Sequence, residues 1–294
     1  MSKVNKQWLI SYWSDRGRIK KVNQDTVFVD SSPQAVIAAV ADGMGGYAHG
    51  EKASQYAIKR VAAWWDHAKS NLEDRAILEE LVPLYKDINN VIVYAATEQG
   101  IKTGTTLSIL VLYGLHYYIA HIGDSRIYVF TGKNTSGPDV SVDNTTDTTE
   151  DLNNNAVDSP LKQLSEDHSW VADEVKKNKL TKEQARKHPR RHILTRCLGI
   201  EDSPSVYTTQ GIIDSNDIFL VCSDGYHSVF SDHEIARHLG STTLLRWGYK
   251  ATGRILVKKA LGNGSADNVT VVLLKQGTVN NCWLYRLIKS SQVG

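Results

Sequence analysis

Cysteine is scarce in this 294-residue chain: Cys197, Cys222 and Cys282 are far apart, odd in number and never in C-x-x-C spacing. That argues against a disulfide framework and against a thiolate zinc site, and makes a reducing cytoplasm the expected setting. Charge of one sign is lacking too. With 34 Lys and Arg against 32 Asp and Glu, the formal net charge is +2, which gives no reason to expect nucleic acid as partner. No apolar run approaches the roughly 18–20 residues of a membrane span. The opening Met1-Ser2-Lys3-Val4-Asn5-Lys6 has no apolar core of the kind that marks a secretory signal. Hydrophobic residues at 41% exclude a mainly disordered chain and leave enough material for a sizeable core.

What is present changes period several times. Residues 25–29 and 36–41 are short apolar runs rich in β-branched residues and read as strands. Ala53, Ala57, Val61, Trp64 and Trp65 follow helical spacing over 51–69. A second helix is expected over about 73–98, with Pro83 kinking it or starting it afresh. Strands are expected at 105–113, 115–122 and 126–131 as an antiparallel meander, then at 206–211, 218–222 and 269–275. Further helices are expected at 171–187, 232–239 and 250–261. Two long helices between blocks of strands suggest an α+β or layered architecture rather than alternating βαβ units.

Three segments stand apart. Residues 132–160 carry Asp139, Asp143, Asp147, Glu150, Asp151 and Asp158 against one basic residue, Lys133. So few apolar groups cannot offset the entropy of ordering, so a mobile acidic insertion is expected, and its acids lack the spacing of a calcium loop. Residues 170–193 are strongly basic, with Lys176, Lys177, Lys179, Lys182, Arg186, Lys187, Arg190 and Arg191. The tail, 280–294, holds Trp283, Leu284, Leu287 and Ile288 beside Arg286 and Lys289. It is expected to pack back on a single domain of residues 1–279, with docking to a partner or a membrane surface as the alternative.

The chemistry sits at strand ends. Asp42 follows one apolar run, Asp124 another and Asp224 a third; Asp25 and Asp267 stand at the heads of two more. Asp beside Gly is ordinary turn chemistry at any one of these places. Five on separate strands are different: if those strands share a sandwich, the carboxylates converge at one edge. Clustered carboxylates repel unless cations hold them. Oxygen donors without matching His or Cys select hard ions such as Mg²⁺ or Mn²⁺, and paired ions suit phosphoryl hydrolysis.

Eight ordered motifs now carry a resemblance: Lys20-x-x-Asn23-Gln24-Asp25; Asp42-Gly43-Met44-Gly45-Gly46 through Gly50-Glu51-x-Ala53-Ser54; Gly104-Thr105-Thr106; Gly123-Asp124-Ser125-Arg126; Leu164-Ser165-x-Asp167-His168-Ser169; Leu194-Thr195-Arg196-x-Leu198-Gly199; Cys222-Ser223-Asp224-Gly225; and Asp267-Asn268-Val269-Thr270. Together they resemble the metal-dependent protein serine/threonine phosphatases of type 2C, in their compact bacterial form. The resemblance implies an antiparallel β-sandwich of two sheets flanked on both sides by helices, a four-layer α-β-β-α fold. It implies two ions, Mn²⁺ or Mg²⁺, with Asp42 bridging them, the Gly43 carbonyl on one, and Asp224 and Asp267 on the other. Asp25 and Gln24 would orient metal-bound waters, and a hydroxide bridging the ions would attack phosphorus directly. Lys20, His49 and Asn268 would face the substrate. A phosphorylated protein, a serine/threonine kinase whose work is reversed, and a monomeric state complete the expectation.

Three departures qualify it. Relatives often have arginine at Lys20, so the two-pronged phosphate fork is lost while the charge stays. Ser228 stands where many relatives have an Asp that joins the Asp124 acid in a third metal site, so a third ion is expected to be weak or absent. Met44 stands where some relatives carry a histidine acid. The first two motivate a rival reading: a catalytically weak relative that binds phosphoproteins as a regulatory module. A second rival is a two-metal hydrolase of a small phosphoester.

Overall fold

The computed structural model describes residues 7–45, 49–74, 76–132, 159–200, 202–241 and 249–277. Most of the expected acidic insertion (133–158) and the whole expected tail, with Cys282, Gly46 and Tyr47, lie outside the described residues. In chain order the elements are β1 (Gln7–Asp15), β2 (Asp25–Ser31), β3 (Ala35–Met44), α1 (His49–Ala68), α2 (Ala76–Glu98), β4 (Gly104–Thr105), β5 (Leu107–Tyr113), β6 (His116–Ile122) and β7 (Arg126–Thr131). They continue with β8 (Leu161–Gln163), α3 (Trp170–Lys176), α4 (Lys182–Lys187), β9 (Tyr207–Ile212), β10 (Asp217–Cys222), α5 (Asp224–His227), α6 (Asp232–Gly240), α7 (Thr252–Gly262) and β11 (Val269–Gly277).

The strands form two antiparallel sheets, ordered β1-β11-β10-β7-β8 and β2-β3-β5-β6-β9, with β4 beside β3. Period-two alternation along β3 explains the layering. Ala35, Ile37, Ala39 and Ala41 pack under α1 and α2 with Val61, Trp65, Leu81 and Ile88. Their neighbours Val36, Ala38 and Val40 face the other sheet and meet Ile127, Phe219, Val221 and Val272. The far side of that second sheet packs Leu220, Val271 and Leu273 against Ile235, Leu256 and Val257 of α6 and α7. Helices therefore cover both outer faces of the sandwich, as the resemblance implies.

Three expectations are corrected, and one strand is added. The meander stops after β6: the turn Gly123-Asp124-Ser125 carries the chain into the other sheet, where β7 pairs with β10 instead. α2 continues through Pro83 rather than starting afresh there, because Ile77, Leu81, Leu84, Ile88 and Ile92 bury one continuous face, which outweighs the single hydrogen bond that the proline removes. The expected helix 171–187 is two short ones; Thr181 caps α4 with a reciprocal capping box that starts it anew. β1, unanticipated, forms the edge of its sheet beside β11.

Behind the Asp124 turn two buried histidines stack, with ring centroids 5.3 Å apart. His121 Nε2–H donates to the Gly123 carbonyl at 3.1 Å while its Nδ1 accepts from Ser108 Oγ, a pattern for the neutral ring. Gly123 N–H in turn donates to His168 Nδ1. Burial pulls His121 down to about 4, against the opposing pull of Asp167. The folded value lies below the unfolded one, so the unfolded chain binds more protons between about pH 4 and 6.5. Stability is full above about 6.5 and falls as pH drops toward 4, by about 2 kcal/mol from His121 alone at pH 5. Thermal unfolding of His121→Gln, whose side-chain N–H can still reach Gly123, should lose less than wild type between pH 7 and pH 5. Parallel curves would refute this.

Candidate active site

β2 and β3 pair with Asp25 directly opposite Asp42, so the register alone sets two carboxylates side by side at the sheet's end. Like charges in that position are unfavourable without a partner. The Asp25 Oδ2 accepts hydrogen bonds from Ser223 Oγ and Thr270 Oγ1, each 2.7 Å, both from the other sheet's strand ends. Its Oδ1 is buried with no partner among the described residues. The Asp42 backbone is framed by the threonine motif: its N–H donates to Thr106 Oγ1 at 2.9 Å, and its carbonyl accepts from Thr105 Oγ1 at 3.0 Å. Thr106 Oγ1 also meets Ser125 Oγ at 2.9 Å, tying Asp42 to the Asp124 turn.

From the second sheet, β10 ends in Cys222-Ser223 and delivers Asp224 as the first residue of α5, while Asp267 sits just before β11. Electrostatics shows that these acids face one another. Asp42 is pushed well above the ordinary carboxylate range by burial and by Asp25, Asp224, Asp124 and Asp267. Burial likewise raises Asp25 to about 7, with its two hydroxyl donors opposing and Asp224 and Asp267 adding. Asp124 is raised by burial and by Asp224 and Asp167. Asp224 alone goes the other way: burial opposes, but His192, His227 and Lys20 draw it down.

Lys20 reaches into this cluster and pairs with Asp267 at 2.7 Å; burial lowers it, but Asp267, Asp42 and Asp224 together raise it. Gln24 lies beside the Asp42 loop, its Nε2 donating to the Gly45 carbonyl at 3.4 Å and its own carbonyl accepting from Gly43 N–H at 3.1 Å. Asn268 is buried next to Asp267, but its side chain is spent on backbone: Oδ1 accepts from Gln24 N–H, and Nδ2 donates to the Arg16 and Val22 carbonyls. It pins the loop that carries Lys20, rather than presenting donors to a substrate. His49 lines a groove between α1 and α2 with Tyr56, Val91, Ala95 and Thr103.

Three residues here escaped the sequence reading as contributors. Ser223 and Thr270 stood inside quoted motifs, and their place as the hydroxyl neighbours of two aspartates was the signal. His192 folds over the site with its Nδ1 3.7 Å from Asp224 Oδ2. Nothing local to the basic segment marks it.

The donor set fits hard divalent cations. Five carboxylates lie within electrostatic reach of one another with Lys20 as their close ammonium partner, and Asp25 Oδ1 and Asp224 Oδ1 are buried without hydrogen-bond partners among the described residues. An unpaired buried charge is costly, and a cation removes that cost. Among the described residues no three His, Cys, Asp or Glu side chains stand close enough to make a finished ligand set by themselves.

Comparison with known proteins agrees with this geometry. A family model described as Protein phosphatase 2C matches residues 16–261. The serine/threonine phosphatase stp of Listeria monocytogenes is 31% identical over 267 residues, covering 90% of this chain and 94% of that relative. Among solved structures, the serine/threonine phosphatase Stp1 from Staphylococcus aureus is similar with a TM-score of 0.76 at 26% identity, covering 94% of this chain and 97% of that one. The catalytic domain of the serine/threonine protein phosphatase PstP, in complex with 2 manganese ions, gives a TM-score of 0.69 at 28% identity, over 92% of this chain and 98% of that one.

Proposed function

The chain belongs to the protein phosphatase 2C family and is a bacterial-type serine/threonine phosphatase; from that premise we propose that it hydrolyses phosphoserine and phosphothreonine in proteins with two divalent ions, Mn²⁺ or Mg²⁺, and so reverses a serine/threonine kinase. The observation that carries this is the meeting of Asp42, Asp25, Asp124, Asp224 and Asp267 from strand ends of both sheets. Asp42, the Gly43 carbonyl, Asp224 and Asp267 would hold the ions. When bound, the ions supply an activated water for in-line attack and positive charge to offset the phosphoryl oxygens.

The protein's own part is positional. Ser223 and Thr270 fix the Asp25 carboxylate, leaving Oδ1 to orient water. Lys20 is loaned to Asp267 in the resting site and stands ready to meet a phosphoryl oxygen. As a point charge it cannot offer the two parallel bonds of a guanidinium. Lys20→Arg is therefore expected to tighten inhibition by inorganic phosphate severalfold; unchanged inhibition would contradict the point-charge reading.

Asp124 keeps half of a third site. Asp167, its other close acid, is locked by Arg126 through bonds of 2.7–3.0 Å, and Ser228 brings no charge. Two ions rather than three are expected. The test of the whole reading is hydrolysis of p-nitrophenyl phosphate and a phosphothreonine peptide in Mn²⁺, in Mg²⁺ and in chelator, with the bound metal counted. Metal-dependent turnover with two ions supports it. Binding of Mn²⁺ without turnover of either compound would instead fit a phosphoprotein-binding module.

A further inference from the structure

We propose that the cleft between the α3–α4 flap and the α5–α6 segment is a subsite for an acidic side chain flanking the phosphorylated residue; this rests on the phosphatase reading above and names the substrate feature that it prefers. A cavity of about 550 Å³ opens from Asp124 and Asp224 and runs under α3 and α4. Val171, Val175 and Phe230 give it apolar walls. Lys182, Arg186 and Arg191 give it cations.

The ion pairs of the flap identify which charges are free. Glu166 holds Lys176 (Nζ–Oε1), Glu174 holds Lys177 and Lys179, and Glu183 holds Lys187 at 2.8 Å. Arg190 lies over the Trp170 ring, 5.2 Å from its centre. That leaves Lys182, Arg186 and Arg191, which make no ion pair within 4.0 Å among the described residues; all three line the cavity, beside Lys176, whose charge Glu166 already meets.

Their direction is built in. Lys182 and Arg186 are four residues apart on α4, hence on one face, and the buried Ala185 and the Thr181 capping box fix how that short helix lies. Two acids within electrostatic reach of Arg186 are already engaged elsewhere. Glu183 is taken by Lys187, and Glu234 is spent on Ser231, accepting from its N–H and its hydroxyl at 2.7 Å. Arg186 draws both of those carboxyls down without pairing to either. Asp232 also faces the cleft, from the head of α6.

An acidic side chain entering beside the scissile phosphate would complete this set with charge-assisted bonds, bidentate at an arginine, while its aliphatic stem lies on the apolar walls. A neutral flank leaves the cations without a partner, and a basic flank is repelled.

The test uses three phosphothreonine peptides that differ only in Glu, Gln or Lys at the residues flanking the phosphothreonine, with p-nitrophenyl phosphate, which has no flank, read alongside. Wild type should show kcat/KM about 10-fold higher for the Glu peptide than for the Gln peptide, mainly through KM. Lys182→Ala/Arg186→Ala should bring that ratio close to one, and Arg186→Glu should shift preference toward the Lys peptide, with p-nitrophenyl phosphate turnover unchanged in both. Intact p-nitrophenyl phosphate turnover with no flank preference, or with a preference that the variants keep, overturns the subsite alone. Failure of wild type to hydrolyse p-nitrophenyl phosphate in Mn²⁺ overturns the phosphatase reading, and the subsite with it.

Discussion

Asp42→Asn is expected to lower Mn²⁺-dependent hydrolysis of p-nitrophenyl phosphate by ~10³-fold or more, and at the same time to raise the unfolding temperature of the metal-free protein. The two effects share one cause. Asp42 lies where the fields of Asp25, Asp124, Asp224 and Asp267 add, and burial denies it the solvent that would screen them. Without a cation this is a destabilising arrangement, maintained by the fold because Asp42 is clamped at both backbone ends by Thr105 and Thr106. Asparagine keeps the volume and removes the charge, so the repulsion falls. It also removes the carboxylate that both ions would share, so the gain in unfolding temperature on adding Mn²⁺ should shrink below that of wild type. Calorimetry with chelator and with Mn²⁺, beside the assay, separates the effects. A metal-free variant no more stable than wild type, or activity within tenfold of it, would falsify the account.

The same residues show how far the sequence could be read. Asp42, Asp224 and Asp124 were legible because each ends an apolar run, and a strand end is a place where a polar side chain has somewhere to go. Their convergence was legible only as a condition, that the strands share a sandwich, and it took the register of Asp25 against Asp42 to realise it. β1 was missed for a related reason. Trp8 and Ile10 pack inward, but Leu9, Tyr12 and Trp13 on this edge strand are large, apolar and exposed, so the sequence shows no alternation. The crossing of β7 into the second sheet was hidden because a hairpin and a sheet change need the same turn residues. His192 reaches Asp224 only because α3 and α4 fold back, a contact between distant segments with no local signature. The flap's free cations were likewise invisible as a subset: composition shows eight basic residues in 170–193, and only the tertiary ion pairs separate those already partnered from Lys182, Arg186 and Arg191.

Gly225→Ala should be a severely damaging single-methyl change in the protein's site. Gly225 follows Asp224 at the start of α5, and Asn268 follows Asp267 before β11; the two turns press together so closely that a Cβ on Gly225 would overlap the Asn268 carbonyl oxygen, with the Asn268 carbonyl carbon at 3.0 Å and Val269 Cγ2 at 3.2 Å. Both obstacles are backbone or fully buried, so neither can swing aside. Ser265 Oγ donates to the Gly225 carbonyl at 2.8 Å and holds α5 against that turn, so the strain cannot be relieved by sliding the helix outward without breaking a buried bond. Overpacking of this kind costs about 2–4 kcal/mol. The functional loss should exceed what that destabilisation alone produces, because the displaced turns carry Asp224 and Asp267 and, through Asn268, the loop bearing Lys20. Ser265→Ala provides the comparison: it weakens the same junction by about 1 kcal/mol without adding volume, and should leave Mn²⁺ affinity nearly intact. In Gly225→Ala, Mn²⁺ affinity measured by titration well below the unfolding temperature should fall at least tenfold. A variant that is destabilised to the expected extent but binds Mn²⁺ as wild type does would show that the two carboxylates are held by something other than this backbone contact.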